Sequence, residues 1–174
     1  MSNLGKIFCV LLLITGTTNA QSKAEKRSLK EEKANLEYNS IKELVETGNF
    51  VFEAGRTIPL GGQSISLTTN ANQLKIQDGE ADIFLPYFGV GRGGGGYNHE
   101  PGIKYKGMVR HYKTAFKDEN RKIIIKFDIK NGSETQNFVC TVGRRGNTSV
   151  LVRSSGRSTI TYGGYLRPAD QVLK

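Results

Sequence analysis

The chain has 174 residues, a formal net charge of +9 and two cysteines, Cys9 and Cys140. This length suits one domain rather than two, and one cysteine beyond the N-terminal apolar run excludes an internal disulfide. Inside a cell, such a basic charge would indicate nucleic acid as the binding partner. An exported chain meets anionic lipid headgroups, acidic glycans and acidic proteins instead, and a solvated basic surface without a specific partner is the alternative.

The N-terminal segment is typical of a signal peptide, which we place at residues 1–20. Lys6 supplies the positive start, the apolar run Ile7–Ile14 follows, and small residues end at Ala20. The run is far shorter than the roughly 20 residues that span a bilayer, so we expect export, with no transmembrane segment in the mature chain. An uncleaved N-terminal anchor is the alternative. Cys9 lies inside the run rather than after it, so we expect no lipidation.

Residues 21–48 are predicted to form a charged helix or linker. Residues 23–33 hold eight charges of both signs. An apolar stripe at spacings of three and four then emerges, and Gly48 is placed to end the helix. We predict a helix over about 24–46, solvated in its first half and packed on the body in its second. The stripe consists of Ala34, Tyr38, Ile41, Leu44 and Val45.

Residues 49–168 alternate apolar and polar side chains, as half-buried strands do. In the clearest stretch we predict strands at 121–130, 134–143, 148–154 and 157–166, with reversals at Asn131-Gly132, Arg145-Gly146-Asn147 and Ser155-Gly156. Eight to ten antiparallel strands with one apolar face must curl or fold over to bury it. The sequence therefore predicts a mainly β fold, a curved antiparallel sheet or barrel-like meander with one N-terminal α-helix; closure as a sandwich stays open.

A glycine-rich loop follows the strand that ends in "LPYF". Gly89, Gly91 and Gly94 match G-x-G-x-x-G, but a phosphate site needs those glycines to open a helix. Pro101-Gly102 and a strand-like "IKYKG" come next, so we exclude a nucleotide and predict no cofactor. The loop is either structural slack or a flexible lid over a pocket. In the second interpretation the ligand-binding residues are Tyr87, Arg92, Tyr97 and His99.

No catalytic motif is visible, and we predict no enzyme and no metal site. His99 and His111 lack metal-ligand spacing. Cys140 lies on the same side of an alternating strand as Phe138 and Val142, which indicates a buried thiol rather than a nucleophile. We predict a non-catalytic binding or interaction domain of the periplasm or cell surface. Its partner would be an apolar or anionic small ligand, an acidic glycan, a lipid headgroup or an envelope protein, not nucleic acid. A cell-envelope hydrolase with a dispersed carboxylate and His site is the alternative.

Four stretches in fixed order resemble the family called domain of unknown function 4251. They are "FVFEAGRTIP", "ADIFLPYFG" before a glycine-rich loop, "GIKYKG", and "VLVRSSGRSTITYGGYL". The resemblance covers roughly residues 35–166 and is most specific in "LPYFG" and in the closing "SGR-x-x-I-x-Y-x-G". It implies an exported, β-rich domain of Gram-negative bacteria with no assigned activity, and it transfers no catalytic residue.

Overall fold

The computed structural model describes residues 17–68, 71–88 and 102–171, without the side chains of residues 17–21 and 171. One helix, α1 (Thr17–Glu46), precedes ten strands. The strands are β1 (Phe50–Pro59), β2 (Ile65–Ser66), β3 (Gln73–Gln77), β4 (Glu80–Leu85), β5 (Ile103–Met108), β6 (Arg110–Lys117), β7 (Lys122–Asn131), β8 (Glu134–Gly143), β9 (Asn147–Ser154) and β10 (Ile160–Pro168). Short 3-10 turns follow β6 and β10 at Asp118–Asn120 and Ala169–Gln171.

All ten strands belong to one antiparallel sheet, in the order β5-β4-β3-β1-β10-β9-β8-β7-β6, with β2 added to β1. The four strands predicted between residues 121 and 166 are β7 to β10, and they form consecutive hairpins. Two compact units are distinguished, residues 1–36 and residues 37–174. Every strand and the last turns of α1 lie in the second unit. The predicted fold class is therefore confirmed.

The sheet curls into a nearly closed barrel because the chain itself joins its two ends. Only Val109 separates β5 from β6, yet β5 pairs with β4 while β6 pairs with β7 at the far end of the strand order. The amide of Asn131, at the end of β7, also donates to the carbonyl of Lys104 on β5 at 2.9 Å. These contacts bring the two edges of the sheet together.

The apolar face lines the inside of the barrel, where one cluster of buried side chains joins strands from both halves of the sheet. Phe127 and Phe138, directly opposite on β7 and β8, stack at 4.9 Å between ring centroids. Cys140 is buried in the same cluster, and burial raises the pKa of its thiol to about 12. A thiol in that state is inert, as the alternation in β8 predicts. The interior is thus a packed core.

Two hairpin turns show how glycine sets the register. The sequence pattern places positive φ on both Asn131 and Gly132, but this detail is wrong: Asn131 is the last residue of β7, paired with Glu134, and Gly132 alone of the two has positive φ, +60°. The turn has its glycine at the first central position. In the turn between β3 and β4, both Asp78 and Gly79 have positive φ, as an Asp-Gly hairpin requires.

The last turns of α1 pack on the barrel unit, as the apolar stripe predicts. Tyr38 and Val45 are buried there, with Ile41 and Leu44 half-buried. Gly48, with φ +69°, follows the helix and donates its N–H to the carbonyl of Val45. The helix begins at Thr17 rather than near residue 24. Among the described residues, no helix has the length and apolar content needed to cross a bilayer.

Asp118 ties α1 to the turn after β6. It accepts hydrogen bonds from the hydroxyl of Tyr38 at 2.7 Å and from the ammonium of Lys42 at 3.1 Å. These two bonds hold the pKa of the Asp118 carboxyl below its ordinary value. Burial and the nearby carboxylate raise the pKa of Tyr38 to about 12.

The Asp118 contact makes stability depend on pH. Because the carboxyl pKa is lower in the folded chain, the stabilisation is complete above the unfolded pKa and is lost as pH falls through the folded one. We expect Asp118→Asn to unfold at lower denaturant concentration than the wild type at pH 7. The difference between the two midpoints should shrink at pH 3. Urea denaturation followed by circular dichroism at both pH values checks this, and an equal difference at both would contradict it.

Candidate functional site

An open groove of about 750 Å³ lies on the outer face of the sheet and crosses the strands rather than following them. Its floor is a row of outward-facing residues in register across four strands: Arg56 pairs with Gly163, Gly163 with Ser149, and Ser149 with Thr141. Larger side chains in the adjoining rows, such as Tyr165, form its walls. The groove therefore follows a transverse row in which three of the four residues, Gly163, Ser149 and Thr141, have small side chains.

Two glycines in β10 shape the floor. An ideal Cβ on Gly163 would lie 2.7 Å from Nε and 3.2 Å from Cγ of Arg56. The Arg56 side chain therefore lies across the space that a side chain at position 163 would occupy. A Cβ on Gly164 would overlap the backbone oxygen of Glu53. That close approach arises at a β-bulge in β1 between Ala54 and Arg56. Glycine in a strand interior commonly marks such a feature.

The charge of the groove is positive. Arg56 and Lys122 line it and are exposed. Within residues 22–68, 71–88 and 102–170, no carboxylate lies within ion-pair distance of either. Glu53 is the single carboxylate among the lining residues that the structure describes, and its Oε2 lies 2.8 Å from Nε of Arg167. The remaining described polar side chains are hydroxyls, an amide and the phenols of Tyr162 and Tyr165, of which Tyr162 is buried and Tyr165 is 55% exposed.

Such a lining can bind but is poorly equipped for acid–base chemistry. Among the described residues that line the groove there is no histidine, and glycoside hydrolysis requires two carboxyl groups. A guanidinium without a carboxylate partner presents a planar set of donors that matches carboxylates and phosphates. The groove is therefore suited to a polar ligand that carries negative charge.

Tyr87, one of the four residues predicted to bind a ligand, is placed elsewhere. It is half-buried, and its hydroxyl lies 2.9 Å from the carbonyl and 2.8 Å from the hydroxyl of Ser158. The guanidinium of Arg157 lies 5.2 Å from its ring centroid and donates to the carbonyl of Gly102 at 3.0 Å. Tyr162 donates to the carbonyl of Pro86 at 2.8 Å. These bonds clamp both stems of the glycine-rich segment.

The other three predicted ligand residues lie outside the described residues, as does the run of glycines between residues 89 and 96. They are Arg92, Tyr97 and His99. Their role therefore stays a prediction. Tyr87 does not line the groove, so the structure does not bring it together with Arg56.

His111 is the one described histidine. Its Nδ1 lies 2.9 Å from Oδ2 of Asp128, and the amide of Asn137 donates to the other carboxylate oxygen at 2.5 Å. The Asn137 bond, more than the histidine, holds the pKa of Asp128 below its ordinary value against the effect of burial. The His111 side chain is 68% exposed and lies off the groove lining. In the part of the chain that is described, no group of three or more His, Cys, Asp and Glu side chains could hold a metal.

Arg56 and Gly163 were not singled out from the sequence. The signal that could have found them is glycine inside strands, since Gly55 interrupts one alternating stretch and Gly163-Gly164 another. Glycine in a strand interior indicates a bulge or a close backbone approach. That rule indicates that Gly163 is a special position, but it does not predict that the side chain of Arg56 lies over it.

The chain is similar to known proteins in sequence and in fold. The family model described as "Domain of unknown function (DUF4251)" matches residues 32–166. The chain belongs to the DUF4251 family. Similar in fold is a crystal structure of a DUF4251 family protein from Bacteroides eggerthii, 23% identical, with a TM-score of 0.63 over 79% of this chain and 91% of that one. No curated protein matches the chain.

The bonds at the stems of the glycine-rich segment join two stretches that carry the resemblance to the family. Two of the stretches on which the resemblance was based, "LPYFG" and the closing "SGR-x-x-I-x-Y-x-G", lie far apart in the chain. In the structure they meet, because Tyr162 bonds Pro86 while Arg157 packs on Tyr87. The two stretches thus form one contact region of the structure.

Proposed function

We propose that this DUF4251 protein is an exported, non-catalytic binding domain of the periplasm or cell surface. Its outer groove would take the anionic group of a polar ligand. The observation that carries the proposal is Arg56, a guanidinium without a described carboxylate partner, laid over Gly163 in a groove of about 750 Å³. Sugar hydroxyls are matched by the hydroxyl and amide groups along the same floor and walls. A short acidic sugar is therefore the ligand chemistry that fits.

Export is supported by the sequence, through the apolar run that ends near Ala20. Binding without catalysis is supported by the composition of the groove. Among the described lining residues the single carboxylate is Glu53, which Arg167 already engages, so these residues offer neither a free base nor an acid pair. For the hydrolase alternative, the best described candidate is His111 with Asp128, but the His111 side chain is exposed and the pair lies outside the groove lining.

We expect Arg56→Gln to bind an anionic trisaccharide about tenfold to hundredfold more weakly than the wild type, because a hydrogen bond to a charged group contributes about 1.5–3 kcal/mol. Isothermal titration calorimetry with trigalacturonate measures this. Gly163→Ala should also weaken binding although it leaves the charge unchanged, because its Cβ displaces the Arg56 side chain. Unchanged melting temperatures would show that both variants fold.

The matched control is Arg153→Gln. Arg153 is an exposed arginine on β9 that does not line the groove, so its loss changes the net charge equally and should leave the affinity within about twofold. Equal affinity of Arg56→Gln and the wild type, or no binding of trigalacturonate to the wild type at millimolar concentration, would overturn the proposal.

A further inference from the structure

The row that forms the groove floor continues beyond the groove. Thr141 on β8 pairs with Ile124 on β7, and Ile124 pairs with Ala115 on β6. The row therefore runs from Ser66 on β2, the partner of Arg56, to the opposite edge of the strand order. Six inter-strand spacings of about 4.8 Å make this path about 29 Å long.

At its far end the row runs between two pairs of lysines. Lys117 lies directly opposite Lys122 on one side of Ala115 and Ile124, and Lys113 lies directly opposite Lys126 on the other. All four lysine side chains are exposed, and within the described ranges none lies within ion-pair distance of a carboxylate. We call these four residues the lysine bracket.

The lysine bracket is unfavourable for the fold by itself. Like charges directly opposite on antiparallel strands destabilise a sheet, and here two such pairs share one face of one hairpin. A bound polyanion would remove that repulsion. The bracket continues the positive charge that begins at Arg56, so charge complementarity extends along the whole row rather than at one point.

We propose that the occupant of this row is a linear acidic polysaccharide lying across the strands, with acidic groups on Arg56 and in the lysine bracket. This rests on the proposed function and extends it from one anionic group to a chain of them. The lining favours a sugar chain over single-stranded nucleic acid, which is bound on successive aromatic platforms. Within the described part of the groove lining, Tyr165 is the one exposed aromatic side chain, since Tyr162 is fully buried.

The test compares galacturonate oligomers of three and eight residues by calorimetry. We expect the wild type to bind the octamer at least tenfold more tightly than the trimer. In Lys113→Gln/Lys117→Gln, octamer affinity should fall at least fivefold while trimer affinity is unchanged. The same variant should unfold at a higher urea concentration than the wild type, because it removes one lysine from each like-charged pair.

Lys30→Gln/Lys33→Gln, which removes two exposed charges from α1, is the control and should leave both affinities within twofold. Equal affinities for trimer and octamer, or an equal effect of the lysine bracket on both, would overturn the inference. Tighter binding of an oligothymidylate or of anionic vesicles than of the octamer would also overturn it. Loss of trimer binding in Arg56→Gln would still uphold the proposed function in each of these cases.

Discussion

Replacing Gly164 by alanine is expected to destabilise the fold by about 3 kcal/mol or more. The added Cβ would overlap the backbone oxygen of Glu53 on the neighbouring strand, and a backbone atom cannot move aside as a flexible side chain can. The pairing of β1 with β10, at the centre of the strand order, must shift. Overpacking typically costs about 1–3 kcal/mol, and the displaced sheet hydrogen bonds add to that. Urea denaturation at pH 7 measures the change.

Gly55→Ala is the matched control for that experiment. Gly55 belongs to the same bulge, but nothing lies within 4 Å of an added Cβ, and its φ is outside the left-handed region. We expect the free energy of unfolding to change by no more than about 1 kcal/mol. Replacing a glycine that has an ordinary conformation lowers the entropy of the unfolded chain, which favours the folded state. Similar midpoints for Gly164→Ala and Gly55→Ala would show that the close approach of the two strands is not required.

Arg157→Ala is expected to destabilise the protein by about 2–3 kcal/mol. Nε of Arg157 lies 3.3 Å from Oε1 of Glu134, and the two side chains are 17% and 16% exposed. Removing one member leaves the other charge largely buried without its partner, which costs about 3–5 kcal/mol for full burial. The same change releases the carbonyl of Gly102 and the ring of Tyr87. Chemical denaturation measures the loss.

A double-mutant cycle with Glu134→Gln separates the ion pair from the other contacts. The double variant should be less destabilised than the sum of the single variants, with a coupling of about 0.5–3 kcal/mol. Strict additivity would contradict a role for the pair. Because Arg157 lies outside the groove lining, Arg157→Ala should retain the trigalacturonate affinity of the wild type, in contrast to Arg56→Gln.

The fold could be predicted because its signals are local. Ile123, Ile125, Phe127 and Ile129 alternate with polar residues and are all buried, since side chains of a strand point to opposite faces. The end of α1 could be predicted from Gly48, because glycine readily adopts the left-handed conformation that commonly follows the last turn of a helix. The start of α1 was placed too late because residues 17–23, which lie before the predicted start, contain no glycine or proline that would stop a helix.

The groove could not be predicted because it depends on neighbours across strands. Arg56 and Gly163 come from the first and last long strands, and their register is set by a bulge whose position no local pattern gives. The lysine bracket likewise depends on which lysine of β6 lies opposite which lysine of β7. Tyr87 was predicted to bind a ligand, and its contacts with Arg157 and Ser158 could not be predicted because both residues lie far along the chain.

The most direct test of the groove is a nuclear magnetic resonance titration of the 15N-labelled protein with octagalacturonate. If the outer face binds the sugar chain, the largest amide shifts should fall on Arg56, Gly163, Ser149 and Thr141 and continue to Ala115. Shifts confined to the clamped end of the barrel, at Tyr87, Gly102 and Arg157, would place the ligand at the glycine-rich segment and contradict the account.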